Sequence, residues 1–342
     1  MMKLCVGVDV SEKELAMAYW DKDKPVFVGT YPNTDDGFQA IRRKIEELLG
    51  ATNAFVHLVM EPTGGYEQPF AHFADRQGWR VSLPNPLKPK QWAKATGKRA
   101  KTDPQDARML AHYANAQDPL PWKPLPKEVE QLEHLLNRQD DLSGMLRQER
   151  NRAHSAGYMV NPHEAVSKDM AESISCLEQR ITAIQEAIKE HLKANPELMD
   201  QKKLLLTVSG IGEKNVLYIL VTLHRWGILT GGKGEAKGLV AYLGLDPAPY
   251  ESGSSIHKKA RISRQGNRSL RSRLYIGALG GVGGNNPLRA FYQRLVGRGK
   301  PKKLALIASA RKILVWAWAV FRSNKPFDVT RFNHITYIEP LS

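Results

Sequence analysis

Three short runs at the start of the chain, Leu4 to Val10, Leu15 to Trp20 and Val26 to Tyr31, are apolar stretches separated by polar turns, and they predict strands. An amphipathic helix is expected over Asp36 to Leu49. A further strand, Phe55 to Met60, is broken by Pro62, Gly64 and Gly65. Beyond it the pattern predicts a helix over Glu67 to Gln77, a strand over Trp79 to Leu83 and a proline-punctuated basic loop. The succession reads as a mixed α/β domain over residues 1–125. Prolines 119, 121, 124 and 126 mark its end, because such backbone resists both helix and ladder.

The pattern then turns helical. Met170, Ile174, Leu177, Ile181, Ile184 and Ile188 step by four and three, the spacing of a coiled-coil seam. An earlier helix, Val129 to about Arg152, presents Val129, Leu132, Leu135, Leu136, Leu142 and Met145, so residues 126–198 read as a coiled-coil hairpin turning across Gly157 to Pro162. An arm for dimerisation is the equal alternative. From Leu204 the chain reads helix, Gly210-Ile211-Gly212 turn, helix. This resembles a helix-hairpin-helix, which offers backbone N–H groups to a DNA phosphate, and a plain turn between two helices is the equal alternative. The rest of 199–342 is helix-rich, with Gly280 to Gly284 expected as a flexible loop between helices.

Composition changes the picture chiefly through charge. With 342 residues, 42% hydrophobic and 25% charged, the chain is an ordinary globular one of two or three domains, and disordered or collagenous classes are excluded. Two cysteines, Cys5 and Cys176, make no disulfide scaffold, and a reducing, cytoplasmic setting is expected. Neither an export signal nor a membrane span is read, since Arg311 and Lys312 interrupt the apolar tract Leu304 to Phe321. The net charge is +15, yet Ser252 to Phe327 holds 17 Lys or Arg and no Asp or Glu, which leaves the remainder near neutral. A second acid-free stretch, Arg76 to Thr102, carries eight more cations, among them Lys90, Lys94, Lys98, Arg99 and Lys101. Two such stretches point to a phosphate-rich partner.

Candidate chemistry lies in four acids. Asp9 ends an apolar strand, where a carboxylate is expensive unless paired or metal-bound, and Glu61 closes the fourth strand. Asp103 and Asp106, three apart at a helix start, share one face with Cβ atoms roughly 5 to 6 Å apart. Four acids at close range call for a cation, and Mg²⁺ or Mn²⁺ suits them. Taken singly, Asp103 before Pro104 is also a good helix cap and Glu61 an ordinary strand-end acid. A second constellation is Tyr250-Glu251-Ser252-Gly253-Ser254-Ser255, beside His257, Lys258, Lys259 and Arg261. Its small residues leave room for a phosphate, although such a run is also common in loops.

The order and spacing of Gly7-Val8-Asp9-Val10, Glu61-Pro62-Thr63-Gly64-Gly65-Tyr66, Lys101-Thr102-Asp103-Pro104-Gln105-Asp106-Ala107-Arg108, Ser209-Gly210-Ile211-Gly212 and Tyr250-Glu251-Ser252-Gly253-Ser254 resemble the insertion-sequence-110 transposases. These are the DEDD recombinases related to Piv-type DNA invertases, and the resemblance spans nearly the whole chain. It implies an N-terminal RuvC-like domain of RNase H fold, a coiled-coil connector and a C-terminal helical transposase domain. It also implies that Asp9, Glu61, Asp103 and Asp106 hold metal and that Ser252 attacks DNA to form a phosphoserine ester. Members act as homo-oligomers, dimers of dimers, guided by a bridge RNA, in the cytoplasm of bacteria or archaea at the nucleoid. Nucleic-acid contacts are expected from Lys94, Lys98, Arg99, Lys101, Lys258, Lys259, Arg261, Arg264, Arg268 and Arg271, with no membrane partner. The rivals are a structure-specific RuvC-like nuclease that activates water, with Ser252 a loop residue, and a non-catalytic nucleic-acid-binding protein.

Overall fold

The computed structural model describes residues 3–52, 54–95, 102–252, 256–264 and 266–328. The chain divides into two compact units, Met1–Pro124 and Leu125–Ser342.

In the first unit β1 (Lys3–Val10), β2 (Glu14–Asp21) and β3 (Lys24–Pro32) form an antiparallel meander. Helix α1 (Asp35–Leu49) leads to β4 (Phe55–Met60), and α2 (Gln68–Arg76) leads to β5 (Arg80–Ser82). Because β4 returns parallel to β1 and β5 parallel to β4, the five-stranded sheet is mixed and has the order β3-β2-β1-β4-β5. Strand parity divides its central residues between two faces. Val6, Val8, Val10, Val56, Leu58 and Met60 join Phe38, Ile41, Ile45, Phe70 and Phe73 of α1 and α2 in one core. Cys5 and Val59, with Ala16 and Ala18, face the other way, against α4 (Asp103–Gln117).

Gly7 lets α4 come close. A Cβ at Gly7 would lie 2.2 Å from Ala111 N and 2.3 Å from Ala107 O, so the helix backbone rests directly on the strand. The far end of α4 is tied down as well. Asp118 takes Lys3 and Arg80 at 3.2 Å each, with His57 Nδ1 at 3.5 Å. His57 is fully buried and its Nε2 bonds Ser82 Oγ at 2.9 Å. Burial, followed by the charge of Arg80, pulls this imidazole down to about 4, so it stays neutral.

The segment after β5, expected as a loop, contains the helix α3 (Leu87–Ala95). Pro89 falls in its first turn, where a missing N–H costs nothing, so the prolines start this helix without breaking it.

The second unit opens with α5 (Lys127–Ala156) and α6 (Glu164–Ala194), which pack antiparallel: Arg150 meets Glu178 at 2.6 Å and His191 meets the Glu128 carbonyl at 2.7 Å. The heptad residues Met170 to Ile184 are half-buried along this seam. Val129, Leu132, Leu136, Ile188 and Leu192 at its base share one core with α7 (Pro196–Leu206), α8 (Val216–Leu229) and α9 (Ala236–Tyr242). Next come β6 (Pro247–Ser252) and β7 (Ile256–Ile262), then α10 (Arg268–Gly281), α11 (Pro287–Gly297) and α12 (Lys302–Ser323). Helix α12 is long and apolar enough to cross a membrane by length and composition; 67% of its most apolar window is buried within this unit, as in a core helix.

Two expectations are corrected here. Strands β6 and β7 form an antiparallel hairpin in a region read as loop and helix, because Pro247, Pro249 and the Gly253-Ser254-Ser255 run hid a short period-two pattern. Gly280 and Gly281 belong to α10 and are not a loop. The glycines of that helix have a packing role: a Cβ at Gly277 would sit 2.4 Å from Gly210 O, and one at Gly281 3.0 Å from Gly210 Cα. Gly210 itself has φ +91°, which an L side chain avoids. In the same turn Asn215 Oδ1 accepts the Gly212 N–H at 2.9 Å and Asn215 Nδ2 donates to Gly210 O at 3.2 Å. Among the turn's N–H groups, that of Gly212 is therefore already paired within the protein.

Candidate active site

Asp9 is the ninth residue of the chain and the last outward position of β1 on the face that carries α4. The parallel register pairs Gly7 with Val59 and Val8 with Met60, so Asp9 follows on β1 and Glu61 directly after the end of the adjacent β4. Helix α4 lies across Gly7 through Ala107 and Ala111, and one turn earlier its first turn carries Asp103 and Asp106. Sheet parity, register and a close helix contact thus bring all four acids to one edge.

Their mutual field is visible at Asp9. Burial, then the carboxylates of Asp106, Asp103 and Glu61, push the Asp9 carboxyl from 3.8 up to about 6, against an opposing hydrogen bond from Val10 N–H. Among the described residues no three His, Cys, Asp or Glu side chains are already drawn around a single point. Glu61 Oε1 is engaged instead by Lys90 Nζ at 2.7 Å.

A raised carboxyl destabilises the fold once it ionises. The contribution of Asp9 is absent below about pH 4, grows as the unfolded chain loses its proton first, and is complete above about pH 6. Allowing for partial exposure, the penalty is on the order of 1–2 kcal/mol. Asp9→Asn is therefore expected to raise thermal stability in metal-free buffer at pH 8 and to leave it little changed at pH 4. Melting curves of both proteins across that range check this; an equal gain at both pH values contradicts it.

The loop after Glu61 is built by a residue the sequence reading did not single out. Glu67 is 4% exposed, and its Oε2 accepts the N–H groups of Thr63 at 2.9 Å and Gly65 at 3.1 Å. Asn33 Nδ2 donates to Ser11 O at 3.0 Å and Tyr66 O at 3.1 Å, joining the turn after Asp9 to the loop after Glu61. An acid directly after Gly64-Gly65-Tyr66 was the signal, since a tight glycine turn has N–H groups that need acceptors.

In the second unit Ser252 ends β6 and pairs with Ile256; the hairpin tip between them lies outside the described residues. Lys258 pairs with Tyr250 across the hairpin, and Lys259 follows it in β7. Arg261, Arg264 and Arg268 are exposed, and Arg271 is half-buried with Nη1 donating to Leu243 O at 3.0 Å. Burial and then the neighbouring charges of Arg264 and Arg268 depress the Arg271 guanidinium, so the three arginines form one cationic cluster. Lys94 is exposed at the end of α3, whereas Lys98, Arg99 and Lys101 lie outside the described residues.

Comparison with known proteins bears on both units. Residues 6–156 match a family model described as a transposase, of the DEDD type named for IS110. Residues 202–293 match the transposase IS116/IS110/IS902 family. The similarity also runs the length of the chain: it is 32% identical over 338 residues to the pilin gene-inverting protein of Moraxella bovis, covering 96% of this chain and 98% of that protein. The chain belongs to the IS110 family of transposases. An IS110 insertion-element protein of Streptomyces coelicolor is 28% identical over 169 residues, 48% of this chain and 38% of its own length. As an IS110-family transposase the protein is a DNA recombination enzyme, and the carboxylate edge and the Ser252 hairpin fall within the two matched regions.

Proposed function

We propose that the protein cuts and rejoins DNA strands of a mobile insertion sequence through a phosphoserine ester at Ser252. Divalent metal would be held by Asp9, Glu61, Asp103 and Asp106. The observation that carries this reading is the convergence of these four acids on one sheet edge in an IS110-family chain. The β3-β2-β1-β4-β5 order, with acids at the ends of two adjacent central strands, supports a RuvC-like domain of RNase H fold.

The donor set fits Mg²⁺ or Mn²⁺. It consists of hard carboxylate oxygens with no thiolate, and the ionisation of Asp9 is opposed until positive charge is supplied. When bound, such an ion neutralises the cluster and polarises the scissile phosphate. Ser252 Oγ forms a bond to phosphorus while one phosphorus–oxygen bond to deoxyribose breaks. The serine proton is lost and the leaving oxygen gains one. Attack by the hydroxyl of the exchanged strand reverses the step, and the ester conserves the bond energy in between. Arg261, Arg264 and Arg268, with Lys94, grip the nucleic-acid backbone.

A bridge RNA pairing with donor and target DNA, and assembly as a dimer of dimers, complete the proposal; the acid-free +17 segment supplies charge enough for both nucleic acids. Work inside the cytoplasm, on chromosomal DNA, follows from the same reading. The Moraxella bovis relative is named for gene inversion, which also requires DNA strands to be cut and rejoined. The test is incubation with the element's own end DNA, its flanking transcript and Mg²⁺. Joined products and a protein–DNA adduct are expected, whereas cut but unjoined ends with no adduct overturn the proposal.

A further inference from the structure

The geometry points to Lys90 as a mobile cation of the active site that exchanges between Glu61 and a DNA phosphate, coupling metal binding to DNA binding. This inference rests on the metal-site reading above. Lys90 Nζ lies 2.7 Å from Glu61 Oε1, and the two side chains differ in exposure, 57% for the lysine and 20% for the acid. The ammonium therefore reaches a mostly covered carboxylate from the solvent side.

Helix α3 is held so that this reach persists. Trp92 packs edge-on against His112 at 4.6 Å and Tyr113 at 5.7 Å, both on α4, and Pro89 is buried. Lys90 and Lys94 are four apart, hence on one face of α3, and both are exposed. The element that carries Lys90 is thus anchored to the same helix that carries Asp103 and Asp106.

A lysine ammonium and a divalent ion cannot use the same Glu61 oxygens equally well. The ion answers Asp9, Asp103 and Asp106 as well, with twice the charge, and the lysine pair is solvent-facing and weak. Ion binding therefore releases Lys90, whose four-carbon stem keeps the ammonium within a side-chain length of the cluster. A DNA phosphate held over the cluster is its next partner, and there it also steadies the charge that develops on phosphorus. Metal then strengthens DNA binding, and by linkage DNA strengthens metal binding to the same degree. A plain surface ion pair has neither effect.

The test compares the full-length protein with K90A, K90R and, as a control at a neighbouring exposed lysine, K88A. Mn²⁺ is titrated calorimetrically without DNA, and a duplex carrying the element's own end is titrated by anisotropy with Ca²⁺ and without divalent ions. K90A is expected to bind Mn²⁺ about three- to fivefold more tightly, because its competitor is gone. It should also lose most of the gain in DNA affinity that Ca²⁺ gives the wild type, with a salt slope lower by about one. K90R and K88A should resemble the wild type. If the wild type binds Mn²⁺ but K90A matches it in both titrations, the inference is overturned and the metal site stands. If the wild type takes up no Mn²⁺, the metal site and this inference fall together.

Discussion

Replacing Ser252 by alanine is expected to abolish strand joining and the protein–DNA adduct, by at least about a thousandfold, with DNA binding retained. The substitution removes one oxygen at the last residue of β6, opposite Ile256, and leaves the acids of the first unit untouched. A water-activating nuclease would use those same acids and be indifferent to the serine. The two mechanisms therefore separate cleanly. Denaturing gels that preserve ester-linked DNA, run beside a joining assay, give the readout. Continued cutting by the alanine variant with no adduct in either protein would move the reaction to hydrolysis.

The second large effect is expected at Gly7. A methyl group there would meet Ala107 O at 2.3 Å and Ala111 N at 2.2 Å, both backbone atoms that cannot rotate aside. Gly7→Ala must push α4 off the sheet or distort β1, at a cost of about 3 kcal/mol or more. The shift acts on function directly, because α4 carries Asp103 and Asp106 one turn before that contact. Melting temperature and metal uptake should fall together. A conservative change at the other end of the helix, Asp118→Asn, weakens the ties to Lys3 and Arg80 without inserting any atom, and should cost less. Gly7→Ala with wild-type stability would contradict the close packing described for this contact.

Much of the first unit was legible because its strands declare their faces. Asp9 and Glu61 stand at the close of two apolar runs, so the sequence puts both acids at one edge on condition that the two strands are neighbours, and the parallel register of β1 and β4 meets that condition. What alternation cannot reveal is which helix covers that side. The small residues Gly7, Ala16, Ala18, Ala107 and Ala111 record a close approach only once their partners are known. Helix α3 was hidden because its prolines, read as breakers, act at a helix start. The role of Glu67 was missed although its place after the glycine turn signals it, because sequence alone does not show that this carboxylate folds back, buried, onto the N–H groups of Thr63 and Gly65. In the second unit the heptad residues of α6 were readable, whereas the β6–β7 hairpin and the glycines of α10 depend on partners distant in sequence.

Direct measurement of Mn²⁺ uptake by the DNA-free protein, by calorimetry or by the loss of the free-ion resonance signal, reaches the heart of the account. Saturable binding by the wild type is predicted, together with its collapse in Asp9→Asn and in Asp106→Asn while both variants remain folded. Equal uptake by all three proteins, or none by any, would mean that these acids do not serve as the metal centre of this transposase.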